Sequence, residues 1–226
     1  MKALKCMDVR TANWSNSNAG ALVKGILGIV LLWCSVTAAN VQSASSYCGE
    51  LGKVYDYTNS ENKTLLATVE AYHFTSNVEN LRSGATGTIG ADLGYTLMMF
   101  PNHHRALAAL GKLSVRDKTL KPGGLKYSVG CFFDRAIRFK PNDGMVRMVY
   151  GNYLLKAGKT DNALEQLQAA VDLQPDDATI NYNLGLLYVQ KKDYEQAKSY
   201  AKKAYELGFP LPGLKNQLIQ AGKWED

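Results

Sequence analysis

A chain of 226 residues, 46% hydrophobic and 20% charged, is long enough to bury a core and too apolar for a disordered tail. Its net charge of +6 does not mark a nucleic-acid binder. Lys2, Lys5, Arg10 and Lys24 against Asp8 place +3 in the first 44 residues, leaving +6 − 3 = +3 for the rest, which has no basic cluster interleaved with stacking aromatics beyond "AKKAYELG", a solvated helix face.

Residues 1–44 carry the pattern of an export signal. A basic, polar n-region up to Lys24 precedes the apolar run "GILGIVLLWCSVTAA" from Gly25 to Ala39, shorter than the ~20 residues of a spanning helix and followed by small residues. Cleavage after Ala39, Ser43 or Ala44 fits the small-residue rule. The other reading is an uncleaved anchor in the inner membrane through residues 25–39, the one route by which this chain would touch a membrane. Trp33 before Cys34 argues against lipidation. The mature chain is thus expected to be exported, periplasmic or secreted, with Cys48 and Cys131 as its cysteines once Cys6 and Cys34 are removed. In an oxidising compartment these two are expected to bridge, closing a loop of ~80 residues; two free buried thiols are the alternative.

Residues 45–86 read as an irregular N-terminal extension. "YCGELGKVYDYTNSENKTLLATVEAYHF" has turn residues and aromatics without clear period, and "SNVENLRSG" suggests a short helix capped by Ser76 and ended by Gly84. From residue 87 the chain reads as helical to its end. "TIGADLGYTLMMF" is one helix stopping before Pro101, and "NHHRALAALGKLSV" a second. "RDKTLKPGGLKY" is a loop around Pro122, Gly123 and Gly124, and "CFFDRAIRFKPNDG" closes this stretch with a third helix.

A period then emerges. Gly151 and Gly185, Ala163 and Ala197, and Ala170 and Ala204 each stand 34 residues apart, and Ala136 with Pro141 extends the pattern backward to Ala170 and Pro175. Leu184, Leu187 and Tyr188 share one helical stripe, and Tyr194, Ala197, Ala201 and Ala204 another, so Lys191 to Asp193 is a turn between two helices. Gly158 sits where a helix C-terminal cap belongs, and Asp161 is placed to cap the next helix. "LPGLKNQLIQAGKW", with Pro212 near its start, is the expected closing helix.

This period and its small residues resemble the tetratricopeptide repeat family, most strongly over residues 144–211. The resemblance implies an all-α fold: a right-handed superhelix of antiparallel helix pairs with a C-terminal capping helix and an irregular N-terminal extension. The array would span 87–226, divided into a half-repeat helix (87–100), an irregular repeat with an inserted loop (102–141), repeats at 144–177 and 178–211, and a cap at 212–224. In an antiparallel pair the helices approach where small side chains meet, so Gly151 would admit Ala163, and Gly185 would admit Ala197.

The resemblance also implies a function: binding another protein or peptide in the concave groove, as a non-enzymatic adaptor that helps assemble an envelope complex. Its groove positions fall on Met145, Met148, Asn152, Leu155 and Lys156 in one repeat, and on Thr179, Tyr182, Asn183, Leu186, Val189 and Gln190 in the next. Asn152 and Asn183 offer amides suited to a ligand's backbone, while Met148 and Tyr182 have partial burial between repeats as their other reading. Met148, Gly213 and Gln217 stand where some relatives place cations for a partner's terminal carboxylate, which argues against such a clamp. Two other readings remain: a groove filled by the chain's own extension, and an enzyme or accessory built on the N-terminal region. For the latter, Asp92, Tyr95 and His103 are the available acid–base set. His73, His103 and His104 lack metal-ligand spacing, capping and packing being the expectation for the last two. No cofactor motif appears, "SGATGTIG" has neither a lysine nor a preceding strand for a phosphate, and "NKT" at Asn62 is a glycosylation acceptor only in a eukaryotic secretory route.

Overall fold

The computed structural model describes residues 47–224, so the leader reading of residues 1–44 lies outside the described part. Among the described residues all regular structure is helical, and after a 3-10 turn at Ser60–Asn62 ten α-helices follow. They are α1 (Lys63–His73), α2 (Ser76–Glu79), α3 (Ile89–Met99), α4 (His104–Arg116) and α5 (Val129–Phe139). The remaining five are α6 (Gly144–Lys156), α7 (Thr160–Leu173), α8 (Ala178–Gln190), α9 (Tyr194–Glu206) and α10 (Gly213–Gln220). Helix pairs α6/α7 and α8/α9 pack intimately, α4, α6 and α8 lie side by side, and α10 rests on α8 and α9. This is the tandem helix-pair array that the 34-residue period predicts.

Side-chain size sets the pairing distance. A Cβ added at Gly151 would lie 2.7 Å from Leu167 Cγ and 3.1 Å from the Ala163 carbonyl oxygen; one at Gly185 would lie 2.5 Å from Leu214 Cδ2 and 3.4 Å from the Ala197 carbonyl. The notch at Gly151 therefore receives the Leu167 side chain as well as the backbone at Ala163. Residue 201, one period after Leu167, is alanine. Leu214 from α10 fills the space that this smaller side chain leaves.

Local signals place the helix ends. Asp143, Asp177 and Asp193 each accept a hydrogen bond from the backbone N–H three residues on, at the N-caps of α6, α8 and α9. Helices α4, α6 and α8 all end in the same left-handed cap, with φ of 51° at Lys118, 77° at Gly158 and 61° at Lys192. In the α6 cap the Lys159 N–H reaches the Leu154 carbonyl and the Gly158 N–H the Leu155 carbonyl. That cap draws Lys159 into the N-cap position of α7. Asp161, expected to cap this helix, is instead in its first turn and pairs with Lys191 Nζ at 3.1 Å.

Two corrections concern the N-terminal region. Within 45–86, expected to be without period, Lys63–His73 form an 11-residue helix. Helix α2 starts after Thr75, not at a Ser76 cap, and stops at Glu79 because Leu81 adopts φ 57°; Gly84 lies beyond it. The inserted loop, residues 117–128, replaces the three-residue turns at 157–159 and 191–193. It is fixed in place: Thr88 Oγ1 donates to the Gly123 carbonyl at 2.9 Å, and the Val129 N–H to the Leu120 carbonyl at 2.9 Å.

The segment before α1 runs as a strap over α3 and α5. Cys48 and Cys131 form a disulfide across a sequence separation of 83. Arg135, fully buried, donates from Nη1 to the carbonyls of Cys48, Gly49 and Glu50 and from Nη2 to that of Leu51; Arg138 Nη2 adds a bond to Gly49 at 2.9 Å. Further along, the Tyr55 N–H donates to the Met99 carbonyl. Carbonyls that would otherwise be stranded are thereby satisfied by one planar fork.

Two outcomes follow for stability. Lys192→Gly is expected to raise it by up to about 1 kcal/mol, since a lysine in the left-handed region carries a strain that glycine lacks, read as a higher urea midpoint at unchanged slope. Replacing Cys48 and Cys131 by serine should lower it by up to about 4.5 kcal/mol, and in the intact chain both thiols should resist alkylation until a reductant is added.

Candidate functional site

The inward faces of α4, α6 and α8 form the inner wall of the array. Gly111 brings α4 close to α6: a Cβ there would lie 3.1 Å from Tyr153 Cβ. Between the two helices a hollow of about 180 Å³ has Ala108, Gly111, Met148, Val149 and Tyr153 as its lining, with Lys112, Asn152 and Lys156 as polar members. A second hollow of about 220 Å³ continues it across Asn152, Leu155, Lys156, Asn183 and Leu186. A third hollow, of about 250 Å³, shares Tyr153 and Lys156 with the first and lies against the inserted loop at Lys118, Thr119 and Leu120. Tyr153 and Lys156 line neighbouring hollows, so the three make one trough.

The expected groove residues divide into two groups. Met148, Asn152, Leu155, Lys156, Asn183 and Leu186 line the trough. Met148 is only 6% exposed and Met145 is half-buried against the core, while Tyr182 stacks on Phe209 with ring centroids 3.9 Å apart. Tyr182 and Val189 also pack against the cluster built on Leu214 and Leu218, so the closing helix occupies that end of the inner face. The Thr179 carbonyl accepts from Asn183 Nδ2 at 2.8 Å, and Gln190 stays exposed. Asn152 Nδ2 donates to Asn183 Oδ1 at 3.0 Å, and Asn183 Nδ2 lies 3.5 Å from Met148 Sδ. The asparagines thus recognise each other across the repeat boundary.

Lys112, Gly111 and Ala108 of α4 escaped the sequence reading. The signal was there: Lys112 precedes Asn152 by 40 residues, one period plus the six residues by which the loop lengthens the spacing of first helices. As for a self-filled groove, no residue from 47–86 lines any of the three hollows, because the strap is drawn to α3 and α5 on the other side.

The histidines form a separate polar joint where α1 and the strap meet α3 and α4. His103 is buried and caps α4, its Nδ1 accepting from the Ala106 N–H at 3.2 Å; Nε2 therefore carries the proton and donates to Glu70 Oε1 at 3.0 Å. His104 Nε2 meets Asp143 Oδ1 at 3.0 Å, and Tyr57 stacks on the His103 ring at 4.2 Å. Buried Asn102 links Asp56 and Asp143 from Nδ2 and accepts the Tyr57 N–H. Burial pushes the Asp143 carboxyl up, but hydrogen bonds from His104, Val146 and Asn102 outweigh it and hold the group below the usual range. Asp56 is lowered the same way, against burial, by Lys140, Asn102 and Thr58.

The acid–base set of Asp92, Tyr95 and His103 is not assembled. Asp92 is buried and accepts from the Ala85 and Thr86 N–H groups, Thr86 Oγ1 and His73 Nδ1. Tyr95 lies on the His73 ring at 4.0 Å, and His103 is committed to Glu70 and its own helix. The glycine-rich loop before α3 spends two amides on this carboxylate, so it holds an internal anion rather than a phosphate. Asn62 Nδ2 likewise donates to the Asp56 carbonyl. Among the described residues no group of three or more His, Cys, Asp and Glu is arranged to hold a metal, and no helix is long and apolar enough to cross a membrane.

Known proteins place this geometry. A family model described as TPR repeat matches residues 151–192, and one described as tetratricopeptide repeat matches 178–207. Among solved structures the chain is similar to PilF of Pseudomonas aeruginosa, at 21% identity over 72% of this chain and 69% of that one, with a TM-score of 0.50. It is also similar to MamA, at 17% identity over 72% and 81%, with a TM-score of 0.45. At these identities the PilF likeness shows the fold alone. No curated protein matches significantly.

The buried histidine sets a pH dependence. Burial, then the Arg105 charge, pushes His103 from 6.5 down to about 3. An unfolded chain takes up that proton near pH 6.5 and the folded one only near 3, so the contribution is intact above 6.5 and lost as pH falls between the two, by at most about 1.4 kcal/mol per unit. His103→Asn, which keeps a capping oxygen, should flatten the fall between pH 6.5 and 4 in urea titrations; an unchanged slope would place its origin elsewhere.

Proposed function

We propose that this chain, which carries tetratricopeptide repeats over residues 151–207, is a non-enzymatic adaptor that holds a segment of another protein in the trough along α4, α6 and α8. Such repeats are in general protein-interaction modules rather than enzymes. The observation that carries the reading is the trough itself: an apolar floor, a fixed asparagine pair, and no occupant from residues 47–86. An enzymatic reading has less support, because the carboxylate and histidine of its site are saturated by structural hydrogen bonds.

The adaptor acts in this proposal outside the cytoplasm, where it assists assembly of an envelope complex. The apolar run at residues 25–39 supports export, and the Cys48–Cys131 bridge suits an oxidising compartment. Affinity capture with the full chain from envelope extracts should return a partner. Changing Asn152 and Asn183 together to Ala should reduce capture at least about tenfold, the worth of ~1.4 kcal/mol, while helix content stays unchanged. Undiminished capture by the double variant would place the binding surface elsewhere.

A further inference from the structure

The charges around the trough are unbalanced. Lys112 and Lys156 line its central hollow, and Lys118 and Lys156 line the one beside the inserted loop. Among the described residues, no acidic side chain lines any of the three hollows. Of the carboxylates on adjoining elements, Glu79 pairs with Arg105, Asp117 with Arg116, and Asp161 with Lys191. Glu79 senses the Lys112 charge, yet its hydrogen bonds go to the Arg105 guanidinium. Among the described residues, Lys112, Lys118 and Lys156 thus stand around an apolar floor with no carboxylate in an ion pair with them.

The inserted loop adds the second half of the pattern. Leu120 is 62% exposed and lines the hollow beside the loop together with Tyr153, and the loop is held rigid by the Thr88 and Val129 hydrogen bonds and by Ser114 Oγ donating to the Thr119 carbonyl at 2.7 Å. A fixed wall with an outward leucine beside two lysines suits a ligand that alternates apolar and anionic groups.

We infer that the trough takes an acidic segment of a partner protein in which Leu or Phe side chains alternate with Asp or Glu. The apolar groups enter the two hollows that share Tyr153, and the carboxylates pair with Lys112, Lys118 and Lys156. This inference rests on the adaptor reading and specifies its ligand; terminal carboxylates are not required.

The test uses the purified full chain and three sets of fluorescein-labelled peptides alternating Leu and Phe with Asp/Glu, Asn/Gln or Lys/Arg, read by fluorescence anisotropy. The acidic set should bind, and weaken steeply between low salt and ~0.5 M salt. The Lys112→Glu, Lys156→Glu double variant should lose at least about tenfold in affinity for it and gain affinity for the basic set. Lys118→Gln should lose less, and Lys202→Glu, outside the trough, nothing. Equal binding of the acidic and amide sets, indifferent to the lysines but lost with Asn152→Ala, would overturn the charge assignment and leave the adaptor reading standing. No binding by any set would overturn the proposal, with partner capture then deciding the adaptor reading separately. A single-stranded oligonucleotide binding the same lysines as tightly would also overturn it, by showing a site for any polyanion.

Discussion

How near two antiparallel helices can come is decided by the smallest side chain between them, and in this array the rest of the geometry follows from that distance. Gly151 lets the backbone at Ala163 and the side chain of Leu167 into contact with α6. Had the next repeat kept a leucine at residue 201, α9 would seal its own notch. Ala201 leaves it open, and Leu214 enters from α10 with Leu218 beside it. The final pair is thus incomplete without the closing helix, which explains why α10 is held by a buried leucine pair despite lacking a side-chain N-cap. Closure has a consequence on the inner face, because α10 also engages Tyr182 and Val189 and confines the open trough to the region from the inserted loop to Leu186.

The opposite end is closed by polar means. Where α6 and α8 start at aspartates, α4 starts at His103, and its ring does two jobs that a carboxylate could not combine: it accepts the Ala106 N–H and donates to Glu70 of α1. Only the neutral ring protonated at Nε2 does both at once. A protonated Nδ1 would lose the cap and place an extra cation beside Arg105, which is why burial and that arginine keep the proton off. Asn102 and Asp143 extend the same network to α6, and Arg135 with the disulfide fastens the strap to α5. Residues 47–86 are therefore built into the array rather than laid over the trough.

What the sequence disclosed and what it hid divide along that same line. The repeats were legible because their contacts are made by glycine, alanine and leucine at fixed spacing, and apolar periodicity is the signal that such contacts leave. Helix α1 was not, because Val69 is its sole buried residue and the faces turned toward α3 and α4 carry Glu70 and His73; a helix docked through hydrogen bonds has no apolar stripe to read. Arg135 was equally silent. One period later the chain has Ala169, so the repeat register offers no counterpart for a guanidinium. Nothing in a local pattern says that an arginine is buried when its partners are carbonyls more than 80 residues away in sequence. In the trough, the repeat register identified six lining residues on α6 and α8, but Lys112 was displaced from that register by the lengthened loop.

On the adaptor proposal, the asparagine pair is the part of the trough that is set in place before a ligand arrives. Asn183 is fully employed: its amide faces the Thr179 carbonyl and Met148 Sδ, and its oxygen accepts from Asn152. Asn152 uses one N–H in that bond and makes no other hydrogen bond among the described residues, which leaves its oxygen and second N–H for a partner's peptide group. In the proposed adaptor the recognition element is Asn152, and Asn183 is the residue that positions it. Holding a donor–acceptor pair in place before binding removes part of the side-chain ordering cost, on the order of 0.5–1.5 kcal/mol per immobilised side chain. A bond spanning α6 and α8 also makes that preparation depend on the distance between neighbouring repeats, so the glycine notches that set the packing of each pair set the readiness of the binding face as well.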